Sequence, residues 1–128
     1  MTALPVDDHV EAPQPAHRFE WERVMRRVSM PAGVKGLAFV LASYADGDGT
    51  RIHPSNARLA NVMEKSEKTI ERGMTWLVAA GFVVITRRRN SRAGIANEYR
   101  LTLPVDVLDR MVLDPDEKPI VLPDMGVG

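Results

Sequence analysis

SEKTIERGMTWLVAAGFVVITRRR, residues 66–89, is the stretch on which the fold turns. It opens with a helix cap, because the side-chain oxygen of Ser66 can accept from the free N–H groups of the next turn. Ile70, Met74 and Leu77 recur at helical spacing and fall within about 60° of one another around the axis. Lys68, Arg72, Thr75 and Ala79 fall on the other side. Gly81 is a stop signal. FVVITRRR then breaks the helical period, and its β-branched residues read as a strand. The spacing predicts a helix from Glu67 to Ala80, apolar behind and cationic in front, with a strand directly after it.

Upstream, Ser55 is the expected N-cap of a helix over NARLANVM, with Leu59, Ala60 and Met63 inward. Only Glu64 and Lys65 separate that helix from Ser66. So short a turn forces the second helix to cross the first steeply and to project from the body. Further back, Val34, Leu37, Ala38, Leu41, Tyr44 and Ala45 form another helical stripe, which is expected to begin at Pro31. ADGDGT ends it, and Ile52-His53 is a candidate short strand. Trp21, Val24, Met25 and Val28 mark a first helix. Downstream, EYRLTL alternates, with Tyr99, Leu101 and Leu103 on one face and Glu98, Arg100 and Thr102 on the other. Paired with FVVITRRR across an eight-residue loop, it makes an antiparallel hairpin.

The architecture expected is α+β, mainly α, with about four helices and a β-hairpin over residues 18–104. Residues 1–17, with three prolines, and residues 105–128, with a short helix over VDVLDRMV and three prolines beyond it, are expected to be acidic tails. The first eleven residues are acidic and lack an apolar h-region, so no secretory signal is expected. The longest apolar run, Trp76 to Ile85, is far short of the roughly 20 residues a membrane span needs. The absence of Cys removes disulfides, cysteine-ligated zinc and thiol catalysis, and suits a cytoplasmic setting.

A net charge of zero conceals a strong asymmetry. Residues 1–22 carry five acids and one base (−4), residues 23–103 fourteen bases and six acids (+8), and residues 104–128 six acids and two bases (−4). A basic centre between acidic ends suits a polyanionic partner. The outward side of the helix after Ser66 has the residue types that read base edges. Arg can hold guanine in a bidentate bond, and Thr or Ala can meet a thymine methyl. Ser66 and Thr69, beside the free N–H groups of the first turn, suit a phosphate. Arg87, Arg88, Arg89, Asn90 and Arg92 would grip the backbone or enter the minor groove from the hairpin, to which Arg100 adds a further cation. Charge on an edge strand also blocks sheet-to-sheet association, and the two roles are compatible.

From about Trp21 to Leu103, the chain resembles the winged helix-turn-helix family of phage and plasmid replication initiators and mobile-element transcriptional regulators. The resemblance rests on LAFVLASYADGDG, HPSNARLA, SEKTIERGMTWLVAAGFV and a hairpin ending NEYRLTL, in that order. It implies that residues 66–80 are the DNA-recognition helix, that RRRNSRAGIAN is the wing, and that the partner is double-stranded DNA. The chain departs from the pattern in two places. Glu64 and Lys65 stand where the family has Gly and an apolar residue, and a left-handed Glu64 would cost on the order of 1 kcal/mol. Trp76, Val78 and Ala79 replace charged residues, so Trp76 and Val78 either flank the core or contact a protein.

No enzyme motif competes with this reading. DGDGT begins like a calcium loop, but its twelfth position is Ala57 where Glu is required. His9, His17 and His53 lack metal-site spacing. No metal, cofactor, small-molecule substrate or membrane partner is expected, and no catalysis. The expected function is sequence-specific DNA binding by a nucleoid-associated regulator or replication-origin binder. A lone winged helix makes few base contacts, which leaves room for a homodimer or a protein partner. The rival is an interaction module that docks Trp76, Val78 and the segment Ile120–Leu122 onto a host or replication protein. About five phosphate contacts would give a slope near −4.5 in log K against log salt, which the rival would lack.

Overall fold

Eight short elements make up the computed structural model, which describes residues 12–112. They are β1 (Gln14–Pro15), α1 (Arg18–Met25), α2 (Val34–Tyr44), α3 (Asn56–Met63), α4 (Glu67–Ala79), β2 (Val83–Arg87), β3 (Glu98–Leu103) and α5 (Val107–Arg110). The three strands form an antiparallel sheet in the order β1-β3-β2. Ile52 adds an isolated bridge, exchanging two backbone hydrogen bonds with Tyr99 at 3.1 and 2.7 Å. The fold is a winged helix-turn-helix: α3, a tight turn and α4, followed by the β2–β3 hairpin. No described helix is long and apolar enough to cross a membrane.

The core is the set of stripes read from sequence. Leu37, Ala38 and Leu41 of α2, Leu59 of α3, and Ile70, Met74 and Leu77 of α4 are buried against Phe82, Val83 and Leu101. Gly73 is part of that packing. A Cβ there would come within 2.6 Å of the Leu37 side chain, so α2 and α4 cross closely because α4 has no side chain at this point. Trp21 joins the helices to the sheet. Its indole N–H donates to the carbonyls of Phe82 and Thr102, both at 2.9 Å, and its ring is fully buried.

Several expectations shift. α1 ends at Met25, although the apolar stripe runs on to Val28. Val28 is still buried, but as a bridge to Met111 after the chain tightens over residues 26–27. α2 begins at Val34, not Pro31, because Gly33 takes a left-handed φ of 85° and closes a turn first. Residues 12–17, grouped with the tail from sequence, are packed on the domain: Gln14 and Pro15 pair with Leu103 and Thr102, and Ala16 is buried. Thr102, expected on the solvent side, is also buried, because its hydroxyl donates to the Gly81 carbonyl at 2.7 Å. The start of the C-terminal segment packs too. Arg110 lies over the stacked rings of Trp76 and Phe82, and Arg27 donates to the Val112 carbonyl. The remaining tail residues, including Ile120–Leu122, lie outside the described residues.

The 46–50 turn is structural. Asp48 accepts from both the backbone N–H and the hydroxyl of Thr50. These bonds hold its carboxyl below the ordinary value of 3.8. A lowered folded-state pKa stabilises the turn above the unfolded value, and that contribution is lost as pH falls through the folded one.

Candidate nucleic-acid interface

α3 and α4 are each capped as the sequence predicts. Ser55 accepts from the Arg58 N–H at 3.0 Å and Ser66 from the Thr69 N–H at 3.1 Å. Between them, Glu64 takes φ 57° and ψ 45°. Its N–H bonds to the Asn61 carbonyl, and the Lys65 N–H to that of Ala60. This is the paired helix-end motif that usually has Gly at the left-handed position. It breaks the chain between Met63 and Ser66 and lets α4 leave the body. Glu64→Gly is expected to raise stability by about 0.5–1 kcal/mol, since removing the left-handed cost outweighs the added unfolded-state freedom. Urea titration followed by circular dichroism would measure it. A loss of stability would show that the Glu64 side chain does more than occupy the turn.

α4 presents the faces expected of it. Ile70, Gly73, Met74 and Leu77 are buried, while Lys68, Thr69, Arg72, Thr75 and Ala79 are exposed. Ser66 and Thr69 sit together at its start, with their hydroxyls 3.0 Å apart. The Ser66 oxygen is thereby committed to the cap. The N–H groups of Glu67 and Lys68 have no intrahelical acceptor and remain free for an anion. Trp76 and Val78 are half-buried flanks of the core, and Trp76 stacks on Phe82 at 6.1 Å between centroids. The exposed part of Trp76 borders a groove of about 600 Å³ that also takes in Pro31, Met63 and Arg72.

The wing sorts its cations into two groups. The β2–β3 register shifts between Ile85 and Arg87, leaving Thr86 as an extra residue. Such a bulge bends and re-aims a strand. Arg87 is held across the hairpin, 3.3 Å from the Glu98 carboxylate and donating to the Ala96 carbonyl. Arg88 and Arg89 lie beyond the strand, so the three arginines do not alternate between sheet faces. Asn90 closes the tip. Its side-chain oxygen accepts from the N–H groups of Arg92 and Ala93, and its backbone pairs twice with Ile95. Among the described residues, the side chains of Arg88, Arg89 and Arg92 are exposed and have no ion pair or hydrogen bond. Arg100, counted with the wing from sequence, turns to the body and donates to the carbonyls of Asp48 and Ala16.

A cleft of about 580 Å³ separates α4 from the wing. Its walls include Ser55 and Asn56 from the start of α3, Glu67, Lys68 and Glu71 from α4, and Arg89 from the wing. The two carboxylates and the start of α3 were not among the candidates from sequence. Helical spacing would have found Glu71, which lies about 60° from Lys68 around the axis. The walls from α3 and the wing depend on packing between distant segments. Among the described residues, no group of His, Cys, Asp and Glu is arranged to hold a metal ion.

Residues 30–83 match a protein-family model described as a helix-turn-helix domain. The match takes in α2, α3, α4 and the first residue of β2. It supports a helix-turn-helix domain for this part of the chain. No curated protein and no solved structure compared with the chain matches it.

Proposed function

We propose that this protein binds double-stranded DNA sequence-specifically, with α4 in the major groove and the wing on the backbone. One observation carries the reading. An outward helix face with Lys68, Arg72 and Thr75 stands beside three unpaired wing arginines, Arg88, Arg89 and Arg92. Arg72 and Thr75 read base edges, with Lys68 between them and the wing. The wing arginines and the free N–H groups at the start of α4 hold phosphates. Arg87 and Asn90 support the wing. The protein acts without catalysis, as a phage- or plasmid-type transcriptional regulator or replication-origin binder associated with the nucleoid.

Withdrawing Arg87 from the contact set leaves about four phosphate contacts, for a slope near −3.6 in log K against log salt. Arg88→Ala with Arg89→Ala is expected to weaken all duplexes alike, by about thirtyfold, and to reduce the slope by about 1.8. Arg72→Ala is expected to relax preference at one base pair, at a cost of about 1–3 kcal/mol there. Fluorescence anisotropy across a salt series measures both. Failure of the wild-type chain to bind any duplex at low salt would overturn the proposal.

A further inference from the structure

The outward side of α4 carries as many carboxylates as cations: Glu67 and Glu71 against Lys68 and Arg72. A DNA surface that worked by charge alone would exclude them. Glu67 has an ordinary explanation, since an acid in the first turn of a helix complements the positive end of its dipole. Glu71 lies past that turn. Its carboxylate is 4.0 Å from the Lys68 ammonium, and both side chains are about two-thirds exposed, at 64% and 69%. An exposed pair of this kind contributes little stability. Its order is also the weaker one, with the cation nearer the helix N-terminus and the acid following it. Helix stability therefore does not account for Glu71.

Position narrows what can face it. Glu71 is on the cleft side of α4, opposite Arg89. With α4 docked in a major groove, a carboxylate there meets a phosphate wall, which repels it, or a base edge that offers a donor. Two bases offer one in this groove, cytosine through N4 and adenine through N6. Adenine presents its N7 acceptor beside the amine, and a carboxylate has nothing to donate to it. Cytosine presents the amine alone. The guanine paired with it offers O6 and N7, the acceptors that suit a lysine.

We propose that Lys68 and Glu71 read a single C·G pair, with Glu71 accepting from cytosine N4 and Lys68 donating to guanine. The inference rests on the DNA-binding reading above and names the base pair that this part of the site selects. The ion pair holds the two side chains together before DNA arrives, and each end then finds its own partner on the base pair.

Selection from a random duplex pool with the full chain tests this, comparing wild type, Glu71→Gln, Glu71→Ala and Lys68→Ala. Wild type should return a motif with one strongly preferred C·G pair. Glu71→Gln, which gains a donor, should shift that one position toward adenine. Glu71→Ala and Lys68→Ala should each relax it by about tenfold and leave the other positions unchanged. An unchanged motif in the Glu71 variants, with all duplexes bound more tightly by one common factor, would overturn the proposal and leave the DNA-binding reading intact. If wild type bound no duplex, both would fall. Circular dichroism of the variants, all at exposed positions, checks that a lost preference is not a lost fold.

Discussion

Trp21→Ala is expected to remove about 5 kcal/mol of stability, comparable to the whole unfolding free energy of a domain this size. The ring is fully buried, so truncation leaves a cavity that the short elements around it cannot fill. The indole N–H also bridges two carbonyls on the two arms of the hairpin, Phe82 just before β2 and Thr102 on β3. Its loss removes a donor from both. Trp21→Phe separates the two contributions, keeping most of the ring volume and losing only the donor, for about 2 kcal/mol. Urea unfolding monitored by far-ultraviolet circular dichroism gives both numbers. A cost below about 1.5 kcal/mol for the alanine variant would show that α1 is not the tie between helices and sheet. DNA binding should fail with the fold in Trp21→Ala and persist in Trp21→Phe, since the residue lies away from the cleft.

Gly49→Ala is expected to be nearly as damaging, although it adds a single methyl group. Gly49 has φ 86°, and a Cβ there would lie 2.1 Å from the Ala16 carbonyl oxygen. The obstacle is backbone, so no side-chain rotation relieves it. Residue 49 also accepts from the Leu101 N–H, and Ala16 donates to the Leu101 carbonyl, so the clash pushes β1, the turn and β3 apart together. A cost of about 3 kcal/mol, from the left-handed backbone and the overlap, would lower the melting temperature by roughly 15 °C. Gly47→Ala is the control two residues away: nothing lies within 4 Å of its added Cβ. That variant should melt within a few degrees of wild type. Equal melting temperatures for the two alanine variants would mean that residues 12–16 are not seated against this turn.

The two substitutions also mark what could be read without coordinates. DGDGT was legible as a turn, and its calcium reading failed on spacing alone. That Gly49 must be glycine because Ala16 lies over it was not legible, because the contact joins segments 33 residues apart. The same division runs through the interface. The cap at Ser66, the stop at Gly81 and the two faces of α4 follow from residues within one or two turns of each other, where helical periodicity governs. The left-handed Glu64 was legible only through the resemblance, which has Gly at that place in the turn. The wing was legible only as a basic hairpin. Sequence assigned Arg87 and Asn90 to DNA together with Arg88, Arg89 and Arg92, and counted Arg100 among the cations of the hairpin. In the fold the Glu98 carboxylate and the Ala96 carbonyl hold Arg87, Asn90 ties the wing tip, and the carbonyls of Asp48 and Ala16 hold Arg100.

The amino-acid sequence by itself determined the helix-turn-helix, its caps, and which side of α4 turns to solvent, since each depends on bonds and spacings between near neighbours. Tertiary structure decided which arginines remain free, that residues 12–17 and 105–112 pack on the domain, and that Glu71 shares a cleft with the wing. Those outcomes depend on which carbonyl or carboxylate a folded chain brings within reach, and separation along the chain does not encode that distance.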